Sequence, residues 1–101
     1  LQAGNKIIPI TNLPQYFGRE DFMGLAPESS LRLISRRAKP QFKIDYDYML
    51  GSFVVEDSNS TNGTLLNGRP IKGLGPQPLK DGDVISPAGV LELRFVSKSV
   101  S

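Results

Sequence analysis

Phe42-Lys43-Ile44-Asp45-Tyr46-Asp47-Tyr48 alternates apolar or aromatic side chains with charged ones. Successive side chains of an extended strand point to opposite faces, so the pattern reads as a half-buried strand with Phe42, Ile44, Tyr46 and Tyr48 turned to the core. Ser52 to Glu56 repeats the alternation around Phe53 and Val55, and Leu91, Leu93 and Phe95 repeat it between Val90 and Val96. Lys6 to Ile10 is apolar and β-branched, and Pro9 confines it to an edge or a bulge. Gln15 to Phe17 and Val84-Ile85 are shorter runs of the same kind. No window carries an apolar stripe at helical spacing, so the chain is expected to be all-β.

The turns fit that class. Asn67-Gly68 lies between Leu65-Leu66 and Arg69-Pro70-Ile71, and Asn-Gly readily takes the positive φ angles of a two-residue hairpin. Asp81-Gly82 precedes Val84, and Pro87-Ala88-Gly89 turns into the last strand. Short strands with turns roughly every ten residues predict an antiparallel β-sandwich of two twisted sheets, with function on the loops at one end. Glu20 to Ser30 and Lys72 to Lys80 lack strand character. Both ends are polar and are expected to fray.

Composition narrows the chemistry. The chain has 101 residues and no cysteine, histidine or tryptophan. That fits one domain over 1–101, with a core from about 5 to 97. Leu1 rather than Met opens it, so it is read as part of a longer protein. Without Cys or His there is no thiol nucleophile, no imidazole base and no zinc site, and neither an enzyme nor a cofactor is expected. The carboxylate pairs Asp45/Asp47 and Asp81/Asp83 have no third acidic partner nearby and read as solvated surface, so no metal is expected. No apolar run approaches the roughly 20 residues of a membrane span, and none reads as a secretory signal. An intracellular location, cytoplasmic or nuclear, and no membrane partner follow as expectations. In that setting the sequons at Asn59 and Asn62 stay unmodified.

Net charge is only +2, but its distribution is uneven. Between Glu28 and Asp45 there is no acidic residue, whereas Arg32, Arg36, Arg37, Lys39 and Lys43 all fall there. This is a local anion-seeking surface. Three segments can serve it: Phe17-Gly18-Arg19-Glu20, Ile34-Ser35-Arg36-Arg37, and the polar run Glu56-Asp57-Ser58-Asn59-Ser60-Thr61-Asn62-Gly63-Thr64. Together they offer guanidinium forks, hydroxyls and turn amides, which are the groups a phosphate dianion takes. Taken singly, each is ordinary surface, and a Ser/Thr/Asn-rich loop commonly satisfies its own backbone.

In this order the three segments resemble the forkhead-associated domain, a phosphothreonine-recognition module. Gly18-Arg19, Ser35-Arg36, Asp57-x-x-Ser60-x-Asn62-Gly63-Thr64 and Asn67-Gly68 match the family pattern, as does Leu79-x-x-Gly82-Asp83-x-Ile85. The resemblance covers roughly residues 5 to 97 and implies a phosphothreonine-dependent peptide- or protein-binding module in kinase-regulated interactions. It implies phosphate contacts from Arg19, Ser35, Arg36 and Thr61, and a hydrogen bond from Asn62 to the ligand main chain. Gly18, Gly63 and Thr64 would shape the site, with Ser60 and Asp57 bracing the loop from within. Leu31, Arg32 and Leu33 would form the specificity surface, taking an apolar or acidic ligand residue.

One position departs from the pattern. Where the family usually has a histidine that ties the loops beneath the site, this chain has Ala38. Looser loops would raise the ordering cost of binding, and the alternative is a phosphate-independent interaction domain. A nucleic-acid binder would place Arg36, Arg37, Lys39 and Lys43 on backbone phosphates with aromatics interleaved among the cations. Phe42, Tyr46 and Tyr48 read instead as core, which disfavours nucleic acid.

Overall fold

The computed structural model describes residues 1–97. Among them ten short strands form two antiparallel sheets, the predicted sandwich. The strands are β1 (Gln2–Ala3), β2 (Lys6–Ile7), β3 (Gln15–Phe17), β4 (Phe42–Asp47), β5 (Ser52–Asp57), β6 (Thr64–Leu66), β7 (Arg69–Pro70), β8 (Gln77–Pro78), β9 (Val84–Pro87) and β10 (Leu93–Arg94). One sheet has the order β2-β1-β10-β9-β6-β7, the other β3-β4-β5-β8. The alternation at Phe42 becomes the longest pairing, with Phe42 opposite Asp57, Ile44 opposite Val55 and Tyr46 opposite Phe53.

Apolar residues from both sheets fill the space between them. Phe17, Phe42, Ile44, Val55, Ile85 and Leu93 are fully buried, and the Phe53 and Phe95 rings meet across the sheets at 5.4 Å. Phe17, Phe22 and Phe42 stack with centroids 5.0–6.4 Å apart at the end of the core nearest the Ser35 loop. Burying each such ring stabilises by roughly 1.5–3 kcal/mol, so this trio is a firm base for what is built above it.

The structure departs from the sequence expectations at several points. Tyr48 is not core: it lies past the end of β4, is 88% exposed and touches the half-buried Tyr46 edge-on. The 20–30 connection has no strand, as expected. It holds a 3-10 turn (Arg19–Phe22) and one turn of α-helix, α1 (Glu28–Leu31), which insert Phe22 and Leu31 into the core. The 72–80 connection contains the edge strand β8, whose Pro78 sits where a missing N–H does no harm. The N-terminal end is tied down rather than frayed: Leu1 is buried, Ile8 N–H donates to Leu1 O (2.7 Å), and Gln2 pairs with Arg94. The matching expectation for the C-terminal end, residues 98–101, lies outside the described residues.

The Asn67-Gly68 hairpin forms as predicted, with φ of 51° and 82°. Asn67 also reaches β9: its Oδ1 accepts from Val84 N–H (2.9 Å) and its Nδ2 donates to Asp83 Oδ1 (3.1 Å). Asp83 Oδ2 accepts from Lys80 N–H (2.8 Å), and Asp81 Oδ1 accepts from Ser97 N–H (2.9 Å). The Asp81/Asp83 pair therefore holds turns together, where solvated surface was expected.

Candidate functional site

The loop after β3 begins with Gly18, whose φ of −146° is ordinary extended backbone. Its glycine requirement comes from crowding. A Cβ here would lie 2.3 Å from Arg37 N, so only glycine lets the Arg36–Arg37 backbone pass this close. Asp21 Oδ2 accepts from Gly18 N–H (2.9 Å), and the same carboxylate takes Arg37 through Nη2 to Oδ1 (2.7 Å). Arg37 N–H donates to Glu20 Oε1 (2.8 Å). That backbone hydrogen bond is the main reason the Glu20 carboxyl ionises below its ordinary value, while the hydrogen bond to Asp21 holds the Arg37 guanidinium above its own. The Gly18 and Ser35 segments are thus clamped together.

Arg19 extends along the same loop. Its N–H donates to Ser35 O (2.8 Å), its Nε to Ile34 O (3.0 Å) and its Nη2 to Arg32 O (3.0 Å). Two of the five guanidinium N–H donors are engaged, and three are left for an anion. Asn62 grips this loop from the other side, its Nδ2 donating to Leu33 O (2.8 Å). The sequence expectation gave Asn62 to the ligand main chain. Here the side chain also joins two protein loops and keeps its Oδ1 and second N–H.

The loop from β5 to β6 is braced from within, as expected. Asp57, nearly buried, accepts from Ser60 Oγ (2.6 Å), Ser60 N–H (2.9 Å) and Thr64 Oγ1 (2.6 Å). Ser60 Oγ in turn accepts from Gly63 N–H (3.0 Å), and Gly63 takes a left-handed φ of 79°. This arrangement leaves Thr61 and Asn62 exposed at the tip while Ser60 and Thr64 are buried.

Gln41 is the residue the sequence reading missed. It is completely buried, and every polar group it carries is engaged. Its Oε1 accepts from Ser35 N–H (2.8 Å), and its Nε2 donates to Thr64 Oγ1 (3.1 Å) and to Gly63 O. Its backbone N–H donates to Phe17 O (2.8 Å) and its carbonyl accepts from Ser58 N–H (3.0 Å). One side chain therefore locks the Ser35 loop to the Gly63 turn. Three residues beyond Ala38, Gln41 ties the Ser35 and Gly63 loops together. No local signal marked it, because strand alternation from Phe42 assigns position 41 to the outward face with Lys43. The Gly63 and Thr64 partners lie 22 and 23 residues away and cannot be read from spacing.

Arg19, Ser35, Arg36, Thr61 and Asn62 lie on three loops joined by these bonds. The Ser35 and Thr61 hydroxyls make no hydrogen bond among the described residues. Of the expected specificity surface, Arg32 and Leu33 are exposed, but Leu31 is 2% exposed and belongs to the core, because α1 turns it inward. A groove of about 710 Å³ lined by Ile7, Ile10, Leu13, Phe53 and Phe95 shares no residue with these loops.

The fold is thus a two-sheet sandwich with three loops hydrogen-bonded to one another. A model of the FHA domain matches residues 17–86, more than half of the chain. The chain belongs to the FHA family. It is also similar to a solved structure described as "Structural and functional analysis of phosphothreonine-dependent FHA domain interactions". Identity is 30% and the TM-score 0.53 over 68% of this chain, which spans 62% of that one. No curated protein matches.

Proposed function

We propose that this domain binds phosphothreonine-containing peptides or proteins through the Arg19, Ser35 and Thr61–Asn62 loops, bringing proteins together under kinase control inside the cell. The observation that carries the reading is the Gln41 lock. It fixes the Ser35 hydroxyl loop against the turn presenting Thr61 and Asn62, so the site does not have to be ordered on binding. Arg19 supplies charged donors to a phosphate oxygen, Ser35 and Thr61 supply hydroxyls, and Arg36 adds a second cation. Asn62 Oδ1 holds the ligand backbone extended. Arg32 and Leu33 read a neighbouring ligand side chain.

Each charge-assisted hydrogen bond is worth roughly 1.5–3 kcal/mol net, and three or four of them against association costs give a dissociation constant on the order of micromolar. Titration with one peptide in phosphothreonine, phosphoserine and unphosphorylated forms tests this. Micromolar binding to the phosphothreonine form alone is expected, with Arg19→Ala and Ser35→Ala each losing at least about tenfold. Equal binding to phosphorylated and unphosphorylated forms would overturn the reading in favour of a phosphate-independent interaction domain.

A further inference from the structure

The basic side chains near the site fall into two groups. Arg37 is held by Asp21 at 2.7 Å, and Lys43 lies 3.5 Å from Glu56. Arg32, Arg36 and Lys39 are exposed, and none has a carboxylate partner among the described residues. Glu28, one helical turn before Arg32, is not paired with it. A fourth exposed and unpaired cation, Lys72, arrives from a different segment. Ile71 N–H donates to Thr64 O (3.0 Å), which sets the Lys72 Cβ 4.0 Å from where a Cβ on Gly63 would stand. Unpaired positive charge therefore stands on the Leu33 side of the Asn62–Leu33 bond and, on Lys72, beside the Gly63 turn next to Asn62.

We propose that the ligand carries negative charge beyond its phosphothreonine, as carboxylates or a second phosphate within a few residues of it, and that Arg32, Lys39 and Lys72 receive that charge. The proposal rests on the phosphopeptide reading and names the ligand class. One phosphothreonine brings about −2 of charge. Arg19 and Arg36 already balance it, and Arg32, Lys39 and Lys72 remain unmatched. Of the protein's own carboxylates nearest this surface, Asp21 pairs with Arg37, and Glu20 accepts the Arg37 N–H while feeling the charge of Arg36 as well. Because the three cations are exposed, each added ion pair contributes no more than about fivefold in affinity and is screened by salt.

Fluorescence anisotropy with three phosphothreonine peptides tests this: one flanked by Gln, one by Glu, and one carrying a second phosphate. At about 0.15 M salt the two charged peptides should bind about five- to twentyfold tighter than the Gln-flanked one, and the gap should shrink to about twofold at about 0.5 M. The Lys39→Gln/Lys72→Gln variant should lose most of the preference and keep its affinity for the Gln-flanked peptide within about twofold. Equal, phosphate-dependent binding of all three peptides would overturn the charge proposal and leave the phosphothreonine reader standing. Binding that needs no phosphate in any peptide would overturn the reader itself. Mixed-sequence duplex DNA outcompeting the Glu-flanked peptide would assign the patch to nucleic acid and overturn the proposal.

Discussion

At the scale of single residues, Gln41 concentrates more consequence than any charged group in the site. Replacing it with leucine keeps the volume and removes three hydrogen bonds, leaving Ser35 N–H, Gly63 O and the Thr64 hydroxyl short of a buried partner. Each orphaned buried group costs about 1–3 kcal/mol. Gln41→Leu should lower Tm by at least about 8 °C in a domain of this size, and it should weaken phosphopeptide binding at temperatures where the fold persists. Differential scanning calorimetry with a peptide titration at low temperature checks both. Unchanged affinity in the folded variant would remove Gln41 from the site's support. Gly18 has the opposite logic: it contributes by lacking a side chain where the Arg37 backbone passes.

Among elements, the contact between the 3-10 turn after β3 and the Ser35–Arg37 loop responds to acid. Glu20 accepts the Arg37 N–H, and its carboxyl is held below the ordinary 4.5. A depressed carboxylate stabilises the fold fully above its unfolded value and loses that contribution as pH falls through the folded one. The Arg37 amide should therefore keep its protection from hydrogen exchange at pH 6 and lose it progressively below about 4.5. Protection unchanged to pH 3 would show that the clamp does not depend on the ionised carboxylate. The exchange of this one amide is the right readout, because the ligand phosphate loses charge near pH 6 for its own reasons.

The elements also show what a sequence can disclose. The β4–β5 pair was legible because alternation is a local signal, and the Asn67-Gly68 hairpin because its residues suit the angles required. The Asp57–Ser60 brace was expected from the family resemblance, and Thr64, expected there to shape the turn, joins it by donating to Asp57. Strands of two residues such as β1 and β8 carry no periodicity; β8 forms along the longer β5, and β1 between the equally short β2 and β10. Leu31 was assigned to the specificity surface by the family resemblance, and the single turn of α1 that rotates it inward is too short to leave a pattern. The Gln41 bridge is tertiary and was invisible for that reason.

Across the whole molecule the two ends of the β4–β5 pair differ in kind. One end carries the locked polar loops. The other carries Tyr48, Met49 and Leu50, all exposed, on a turn closed by Asp47 Oδ1, which accepts from the Met49 and Leu50 N–H groups (2.9 and 3.0 Å). Six residues of strand separate the ends, about 20 Å at strand rise. Met49→Ser should leave phosphopeptide affinity unchanged within about twofold and stability within about 0.5 kcal/mol. A larger loss of affinity, read in the same titration, would mean that the ligand reaches much further along the sandwich than the three loops do.

The joint made by Gln41 has one more property: glutamine has no proton to gain or lose in water. The chain contains no histidine or cysteine, the residues whose side chains commonly change charge between pH 5 and 8. Across that window no side chain on the three loops is of a kind that commonly changes charge. Any drift of affinity with acidity then belongs to the partner, whose phosphate passes from monoanion to dianion near pH 6. In a cell whose pH wanders, this domain would respond to how fully its target is ionised and would itself hold still.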